Sequence, residues 1–221
     1  MSPQDSVPRG RHAPPLEIRQ GRQRQRLFAA AATVFARCGY AESTAEGIAR
    51  EAGMSKATFY EHFVNKEACI VALFDAALET ILRAIGHGDN QAGTGDPRAR
   101  YRRNVRAFLD AVEANPEVSQ TLLVEIIGAG PRAVERRDFA FGGMATYVFE
   151  RNAADAAAGL APKFASPDDA YAVVGAIVEL AARRLRTGVP EDIHDLEPVI
   201  DRFISGLLAA GEPAGTRSQA A

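Results

Sequence analysis

The stretch from Glu42 to Cys69 constrains the fold of this chain more than any other part of it. Ser43 or Thr44 can cap the start of a short helix. Ser43 with Glu46 also fits a capping box, in which two side chains satisfy orphan backbone N–H groups at a helix start. Gly53 lies where a helix can end in the left-handed conformation. These signals predict a short helix that ends in a tight turn.

A second short helix follows the turn. Ser55 can cap it, and Phe59 and Phe63, four residues apart, fall on the same side. Two short helices joined by a tight glycine turn form a helix-turn-helix, whose second helix is shaped to enter the major groove of DNA. The outer side of this predicted recognition helix carries Lys56, Ala57, Thr58, Tyr60, Glu61 and His62.

Further residues on both sides extend this pattern into a specific combination. They are Phe35, Gly39-Tyr40, Ser43-Thr44, Ile48-Ala49, Gly53, Ser55-Lys56, Thr58-Phe59-Tyr60, His62-Phe63 and Asn65-Lys66-Glu67. With these residues, the segment 22–74 resembles the DNA-binding domain of the tetracycline-repressor (TetR) family of bacterial transcriptional regulators. The resemblance covers about a quarter of the chain.

The resemblance implies which side chains contact DNA. In the family, the Thr, Tyr, His and Lys of the pattern T-x-Y-x-H-x-x-x-K contact operator phosphates and bases, and that pattern is intact here. By its chemistry, Lys56 can donate to guanine or to a phosphate, and Lys66 at its helix start can form an anion site. Gly47 and Glu46 depart from the family pattern, and Glu46 would repel phosphate if it faced the DNA. The predicted DNA-binding residues are Thr44, Ser55, Lys56, Ala57, Thr58, Tyr60, His62 and Lys66.

Charge is distributed unevenly along the chain. The net charge is −2, yet residues 1–66 hold ten basic and six acidic side chains, a balance of +4. A basic end on an acidic body suits a protein that offers one end to a polyanion. Residues 1–19 are rich in proline and predict a disordered basic arm. Its Arg9, Arg11 and Arg19 either contact DNA or belong to an inert tail, and both interpretations stay open.

Composition indicates an all-α protein. The chain is rich in Ala and Leu, contains no Trp, and shows few runs with period-two alternation. No apolar run is long enough to span a membrane, and the first residues lack the apolar core of a secretory leader. The two cysteines, Cys38 and Cys69, do not make a disulfide framework, so we expect a cytoplasmic protein. Both lie on predicted inner stripes, which predicts two small buried side chains.

Helical periodicity predicts about nine helices. A first helix runs from about Gln20 to Cys38, and a fourth from Lys66 to about Ile85. The segment 87–97 is polar and Gly-rich and predicts a loop. Five further helices follow, the last ending near Ala210. The predicted organisation is a disordered arm at 1–19, a helix-turn-helix domain at 20–66, a ligand-binding and dimerisation domain at 67–211, and a disordered tail at 212–221.

The sequence offers no catalytic or metal-binding motif. It contains no Gly-rich phosphate loop, no CxxC, no HExxH and no GxSxG, and its four histidines are scattered. We therefore predict no enzymatic activity, no cofactor and no metal site.

The family resemblance implies roles for the C-terminal helices. In the family, helices four to seven surround an inducer pocket, and the last two helices pair with their twofold mates. Dimerisation is thus expected through helices near 167–187 and 195–210. Gly142 and Gly143 either open space for a ligand or allow close helix packing. Aromatic content alone gives the ligand-binding candidates, which are Phe74, Phe108, Phe141 and Tyr147, and Phe139 shares this signal.

Together these observations predict a homodimeric DNA-binding transcriptional regulator, a repressor released by a small and partly apolar ligand, which binds a palindromic operator. Two alternatives remain. One is a DNA-binding protein of the same fold without an inducer, in a chromosome-organising role. The other is a helical small-molecule-binding protein that does not bind DNA.

Overall fold

The computed structural model describes residues 15–91 and 95–210 of the 221-residue chain. Within those ranges every regular element is helical, which confirms the predicted all-α class. Two short 3₁₀ segments, Glu125–Gly128 and Ile193–Leu196, join the α-helices. The α-helices are α1 (Leu16–Glu42), α2 (Ala45–Glu51), α3 (Lys56–His62), α4 (Lys66–Gln91), α5 (Pro97–Ala114), α6 (Pro116–Leu123), α7 (Pro131–Ala157), α8 (Pro167–Thr187) and α9 (Glu197–Ala210).

Helix α1 begins earlier than the sequence predicts. It starts at Leu16, directly after Pro15, and not at Gln20. Proline has no backbone N–H to lose and its fixed φ suits a helix start, so the helix can begin there. Arg19 of the predicted disordered arm therefore lies in a helix, whereas Arg9 and Arg11 lie outside the described residues.

Helix α4 extends beyond its predicted end. It continues to Gln91, so the first half of the predicted loop at 87–97 is helical. Glycine and asparagine weaken a helix by about 1 kcal/mol or less each, and with no proline between Lys66 and Gln91 nothing blocks continuation. Helix α5 then starts at Pro97, where Asp96 caps it by accepting a hydrogen bond from the N–H of Arg98.

The core runs without interruption from the N-terminal helices into the C-terminal bundle. Helix α1 packs on α2, α4 and α6, and α4 packs on α5, α6 and α7. Because α4 belongs to both parts, the domain boundary at residue 66 stays a prediction. The largest fully buried side chains include Phe35, Phe59, Ile70, Leu109 and Phe164.

A carboxylate ties the C-terminal bundle to the end of α1. Gly39 leaves the helical conformation with φ of 76°, which favours glycine because a side chain rarely adopts it. The N–H of Tyr40 donates to Glu125 Oε2 at 2.8 Å, and Gln120 of α6 donates to the other oxygen of Glu125. The turn that leads into α2 is therefore held by a residue 85 positions away in sequence.

The connection between α7 and α8 is held by one buried amide. Asn152 is fully buried, donates from Nδ2 to the carbonyl of Pro162, and accepts the N–H of Phe164 at Oδ1. These contacts fix the loop that packs beside α5 and α9. Nearby, Arg100 and Asp155 form a buried ion pair.

The described ranges contain neither a candidate membrane-spanning helix nor a candidate metal site. None of the helices there is both long enough and apolar enough to cross a lipid bilayer. No cluster of three or more His, Cys, Asp or Glu side chains in those ranges is arranged to hold a metal ion.

We predict that Asn152→Ala lowers the free energy of unfolding by about 2–4 kcal/mol, since it deletes two hydrogen bonds and leaves the buried N–H of Phe164 and the half-buried carbonyl of Pro162 without partners. Urea unfolding followed by circular dichroism measures this change. Asn152→Asp should destabilise the protein at least as much as the Ala variant, because it buries a carboxylate and sets one of its oxygens against the carbonyl of Pro162. Glu150→Ala, exposed on the same helix, is the control. An Ala variant as stable as that control would contradict the role of Asn152.

Candidate nucleic-acid interface and ligand cavity

Helix α2 begins one residue later than the predicted capping box requires. Thr44 is the cap, with Oγ1 accepting the N–H of Gly47 at 2.9 Å. Ser43 is buried and its hydroxyl donates to the carbonyl of Tyr40, so the predicted box between Ser43 and Glu46 does not form. A Cβ at Gly47 would lie 3.1 Å from Thr44 Oγ1, a tight contact that a small shift of the Thr44 side chain would relieve. Thr44 itself is exposed, as a DNA contact requires.

The turn between α2 and α3 has the predicted glycine geometry. Gly53 has a φ of 63°, in the left-handed region. The N–H of Met54 donates to the carbonyl of Ala49, which closes the turn. From α1, Arg26 Nη2 donates to the carbonyl of Ala52 at 2.7 Å. Arg26, which the sequence marks only as a positive charge, therefore ties α1 to the turn between the two helices.

Helix α3 presents most of its predicted outer face to solvent. Lys56, Ala57 and Tyr60 are exposed, and Thr58 and His62 are half-buried. Phe59 is fully buried, and Phe63 just after the helix is nearly so, which anchors the opposite side in the core. The recognition helix is thus accessible to a duplex, as the spacing of the two Phe residues predicts.

Two hydroxyls at the start of α3 engage each other. Ser55 caps the helix by accepting the N–H of Thr58 at 3.1 Å, which confirms its predicted capping role. The Ser55 and Thr58 hydroxyls also share a hydrogen bond of 3.0 Å. Both remain next to the exposed face, and each oxygen keeps acceptor or donor capacity for a phosphate.

Lys56 has an acidic neighbour on the outer surface. Its Nζ lies 3.6 Å from Glu46 Oε2 of α2, and both side chains are more than half exposed. Such an exposed pair contributes little stability, so Lys56 can exchange Glu46 for a DNA acceptor at small cost. The acidic side chain that departs from the family pattern is therefore the partner of a predicted DNA contact.

Tyr60 and His62 occupy different positions on the outer face. Tyr60 is 49% exposed and rests edge-on against the ring of Phe59. His62 Nε2 lies 3.4 Å from Oε1 of Gln23 on α1. The sequence does not reveal the role of Gln23, since it lies 39 residues away and no local pattern marks it.

The ammonium of Lys66 binds backbone carbonyls, whereas the sequence predicts that it helps to form an anion site for a phosphate. Its Nζ donates to the carbonyls of Tyr40 at 2.5 Å, Ser43 at 2.9 Å and Ala41 at 3.3 Å. It also lies 4.1 Å from the centre of the Tyr40 ring. Burial lowers the pKa of Lys66, opposed by the nearby Cys38 and Glu42 groups. The ammonium thus caps carbonyls left by the end of α1, and does not point free towards a phosphate.

Other basic side chains divide between structural and exposed positions. Arg24 stacks over the rings of Phe28 and Phe63, with its guanidinium carbon 5.1 and 4.9 Å from their centres. Arg22 and Arg50 are exposed and form no ion pair within the described residues. These two arginines add positive charge to the exposed surfaces of α1 and α2.

A cavity of about 150 Å³ lies inside the C-terminal bundle, and we call it the inner cavity. Its walls are contributed mainly by α4, α5, α7 and α8 and are nearly all apolar. All four predicted ligand-binding residues line it, namely Phe74, Phe108, Phe141 and Tyr147. Their binding of a ligand stays a prediction. Phe139 does not line it and is 75% exposed, because it lies on the outer side of α7.

Sequence reasoning missed the polar lining of this cavity. Arg100, Tyr101 and Asn104 of α5 line it together with Arg151 of α7. The sequence places Tyr101 only on the apolar stripe of its helix. Its polar surroundings depend on residues of α7, so no local signal reveals them.

The two cysteines differ from each other. Cys69 is fully buried as predicted, and burial raises the pKa of its thiol to about 12. Cys38 is exposed, so its predicted burial is wrong. It lies in the last turn of α1 just before Gly39, where its Sγ contacts the carbonyl of Val34 and none of the described helices covers it.

Comparisons with known proteins agree with this geometry. Residues 27–73 match the family model described as bacterial regulatory proteins, tetR family. The transcriptional activator FasR of Mycolicibacterium smegmatis is 37% identical over 93 residues, which is 41% of this chain and 41% of that protein. The chain matches only about two fifths of the length of its curated relatives.

Solved structures extend the likeness to the whole fold. A TetR-family regulator from Syntrophomonas wolfei superposes with a TM-score of 0.73 at 13% identity, over 90% of this chain and 99% of that one. FadR from Bacillus subtilis, solved in complex with stearoyl-CoA, gives 0.70 at 17% identity over 86% and 99%. The N-terminal helix-turn-helix therefore matches the model of the tetR family of bacterial regulatory proteins, and the described part of the chain adopts the fold of these solved regulators.

Proposed function

We propose that this protein is a dimeric transcriptional regulator that binds a near-palindromic operator through α3 and responds to a small, partly apolar ligand in the inner cavity. The observation that carries the proposal is the recognition helix, which is anchored by Phe59 and Phe63 and accessible along its outer face. The inner cavity supports a ligand-binding role, as does the likeness in fold to FadR, which was solved in complex with stearoyl-CoA. We propose repression as the direction of control.

Phosphate contacts would supply most of the affinity for DNA. Arg22 of α1, Arg50 of α2 and Lys56 of α3 are exposed basic side chains that could contact phosphates. Each phosphate that a basic side chain neutralises releases condensed counterions, so binding weakens as salt rises. Two recognition helices of a dimer would read half-sites about 34–36 Å apart, one turn of duplex.

A structural link supports communication between the ligand cavity and the DNA-binding helices. Leu122 and Leu123 of α6 line the inner cavity, and Glu125 just after α6 holds the N–H of Tyr40. On the other side, Glu67 of α4 accepts the N–H of Arg132 at the start of α7. We propose that a ligand which shifts α6 or α7 changes the position of the turn before α2.

The proposal is tested first by binding to the DNA upstream of the protein's own gene, measured by fluorescence anisotropy against a scrambled duplex. We expect tighter binding to the upstream DNA and a loss of affinity as salt increases. Equal binding to both duplexes would favour the chromosome-organising alternative. Absence of binding to either would favour a small-molecule-binding protein without DNA function.

We predict that Lys56→Ala reduces the preference for upstream DNA over the scrambled duplex by about tenfold, because a side chain that donates to a guanine is worth about 1–3 kcal/mol of discrimination. Glu46→Gln should instead strengthen binding to both duplexes, since it removes the acidic neighbour of Lys56. Glu79→Gln, on the exposed surface of α4, is the charge-matched control for Glu46. Equal loss on both duplexes would make Lys56 a phosphate contact only.

Lys66→Ala tests whether Lys66, unlike Lys56, stabilises the fold and does not contact DNA. Because the Lys66 ammonium is occupied by backbone carbonyls, this variant should lower the melting temperature, with little effect on the salt slope of DNA binding. A slope that falls by about one with an unchanged melting temperature would restore Lys66 as a phosphate contact.

We predict that Ala140→Leu prevents binding of an apolar ligand and leaves DNA binding unchanged. Ala140 lines the inner cavity and is half-buried, so the larger side chain occupies ligand space. The neutral fluorescent dye N-phenyl-1-naphthylamine serves as the probe, and its affinity should fall by about tenfold or more, the equivalent of about 1.4 kcal/mol. Ala157→Leu, exposed on the same helix, is the control. Undiminished dye binding by the Ala140 variant would place the ligand elsewhere.

We propose that α8 and α9 form the dimer interface. Val199, Phe203, Gly206 and Ala210 are exposed on α9 at intervals of three and four residues, and form one uncovered apolar stripe. Such a stripe on a helix is typical of a helix–helix contact. Tyr171 and Ala172 are likewise exposed on α8, which packs beside α9.

We predict that Phe203→Glu converts the dimer to a monomer, because it places a charge in the centre of that stripe. Sedimentation at several concentrations measures the association state, and DNA affinity should fall with it. Leu82→Glu, at an exposed apolar position on α4, is the matched control. A dimer that persists in the Phe203 variant would place the interface on another face.

A further inference from the structure

The inner cavity shares a wall with a second cavity. This second cavity, of about 270 Å³, lies between α5, the α7–α8 connection and α9, and we call it the outer cleft. Tyr101, Val105 and Ile204 line both spaces. Ligand sites usually occupy about 300–1,000 Å³. Each space alone lies below that range and the two together fall within it, so an extended ligand would pass the shared wall.

Tyr101 presents a hydroxyl at this wall that needs a partner. Its oxygen is buried and makes no hydrogen bond of good geometry within the described residues. Burial is the main cause that raises the pKa of Tyr101, followed by the nearby Asp155 carboxylate. The group is therefore a protonated hydroxyl at neutral pH and can donate. A buried hydroxyl without a partner costs about 1–3 kcal/mol.

The polar neighbours of this hydroxyl are already engaged. Arg100 and Asp155 pair with each other, which uses the nearest carboxylate. Asn152 also lies near Tyr101, but its amide binds Pro162 and Phe164. In the structure none of these groups accepts the Tyr101 proton with good geometry, so a ligand oxygen can serve as its acceptor.

The charges at this wall select the kind of acceptor. Arg100 is neutralised by Asp155, so it is not available to stabilise an anionic oxygen, and Asp155 would repel one. In the outer cleft Arg98 and Arg102 both bind Asp201, at 2.8 and 3.0 Å. A carbonyl oxygen that accepts from Tyr101 therefore needs no counter-ion at this wall, whereas a free carboxylate would have to reach Arg151, which also lines the inner cavity.

We propose that Tyr101 is the specificity-determining anchor of the ligand site and donates a hydrogen bond to the carbonyl oxygen of an acyl derivative, an ester, amide or thioester. The apolar arm of this ligand lies in the inner cavity and the remainder passes into the outer cleft. This inference rests on the proposed ligand-binding function and names its ligand class. It does not depend on DNA binding.

The test uses the isosteric substitution Tyr101→Phe in the full-length protein. Affinities are measured by displacement of N-phenyl-1-naphthylamine with methyl octanoate, which carries a carbonyl, and with pentylbenzene, which has similar size and no acceptor. We expect Tyr101→Phe to weaken methyl octanoate about tenfold, the loss of one hydrogen bond worth about 1.4 kcal/mol. Pentylbenzene should bind both proteins equally. Equal effects on the two compounds, or no effect on either, would overturn the proposal.

Three further measurements distinguish the possible ligands from one another and test whether the Tyr101 hydroxyl has only a structural role. Octanoate should bind the wild type about tenfold more weakly than methyl octanoate, because its charged group loses hydration beside Tyr101, where Arg100 is already paired with Asp155. Equal or tighter binding would point to a carboxylate held by Arg151 and would overturn the preference for a neutral acceptor. Octanoyl-CoA that loses affinity in Tyr101→Phe would identify a thioester source, and an insensitive octanoyl-CoA would count against the anchor. The melting temperature of ligand-free Tyr101→Phe should equal or exceed that of the wild type. A marked drop would make the hydroxyl structural and refute the proposal.

Because these assays contain no DNA, their failure leaves the proposed regulatory function to be judged by DNA binding alone. One outcome would refute the Tyr101 anchor alone. If Ala140→Leu weakens dye binding but Tyr101→Phe leaves the affinity for the ester unchanged, the inner cavity remains the proposed ligand site and Tyr101 is not its anchor.

Discussion

The end of α1 is the constraint on which the DNA-binding part of this molecule depends. Gly39 turns the chain out of the helix, which leaves carbonyls without helical partners. Lys66 from the start of α4 binds three carbonyls there, and Glu125 from the C-terminal bundle holds the N–H of Tyr40. One short turn, which leads directly to the α2 cap at Thr44, is thereby joined to two distant parts of the chain. The position of α2 and α3 relative to the bundle follows from this joint.

The C-terminal bundle combines an apolar interior with a few polar groups at one place. The inner cavity is enclosed by aromatic and aliphatic side chains, while Arg100, Asp155 and Asn152 lie together beside Tyr101. Buried polar groups are costly unless they are paired. Arg100, Asp155 and Asn152 each have a partner of good geometry, whereas the Tyr101 hydroxyl beside them has none. The same residues that fix the α7–α8 connection thus define the polar end of the cavity, which couples the stability of the bundle to the chemistry of its ligand.

Much of the candidate interface could be predicted from sequence because its signals are local. The caps at Thr44 and Ser55, the turn at Gly53 and the burial of Phe59 all depend on neighbours within a few residues. The exposed face of α3 follows from them, since helical spacing determines which side chains oppose the buried ones. The four aromatic cavity residues could be identified from residue type alone, but the same criterion also selects the exposed Phe139.

The sequence by itself determined the helical class, the helix-turn-helix and the outward side chains of α3, because these depend on periodicity and on local hydrogen bonds. Only the tertiary structure decided that Lys66 caps α1, that Cys38 is exposed, and that Tyr101 lies between two cavities. Each of these depends on groups that are distant in sequence or on whether a neighbouring helix covers the side chain. Local patterns carry no information about such contacts, which arise only when the helices pack.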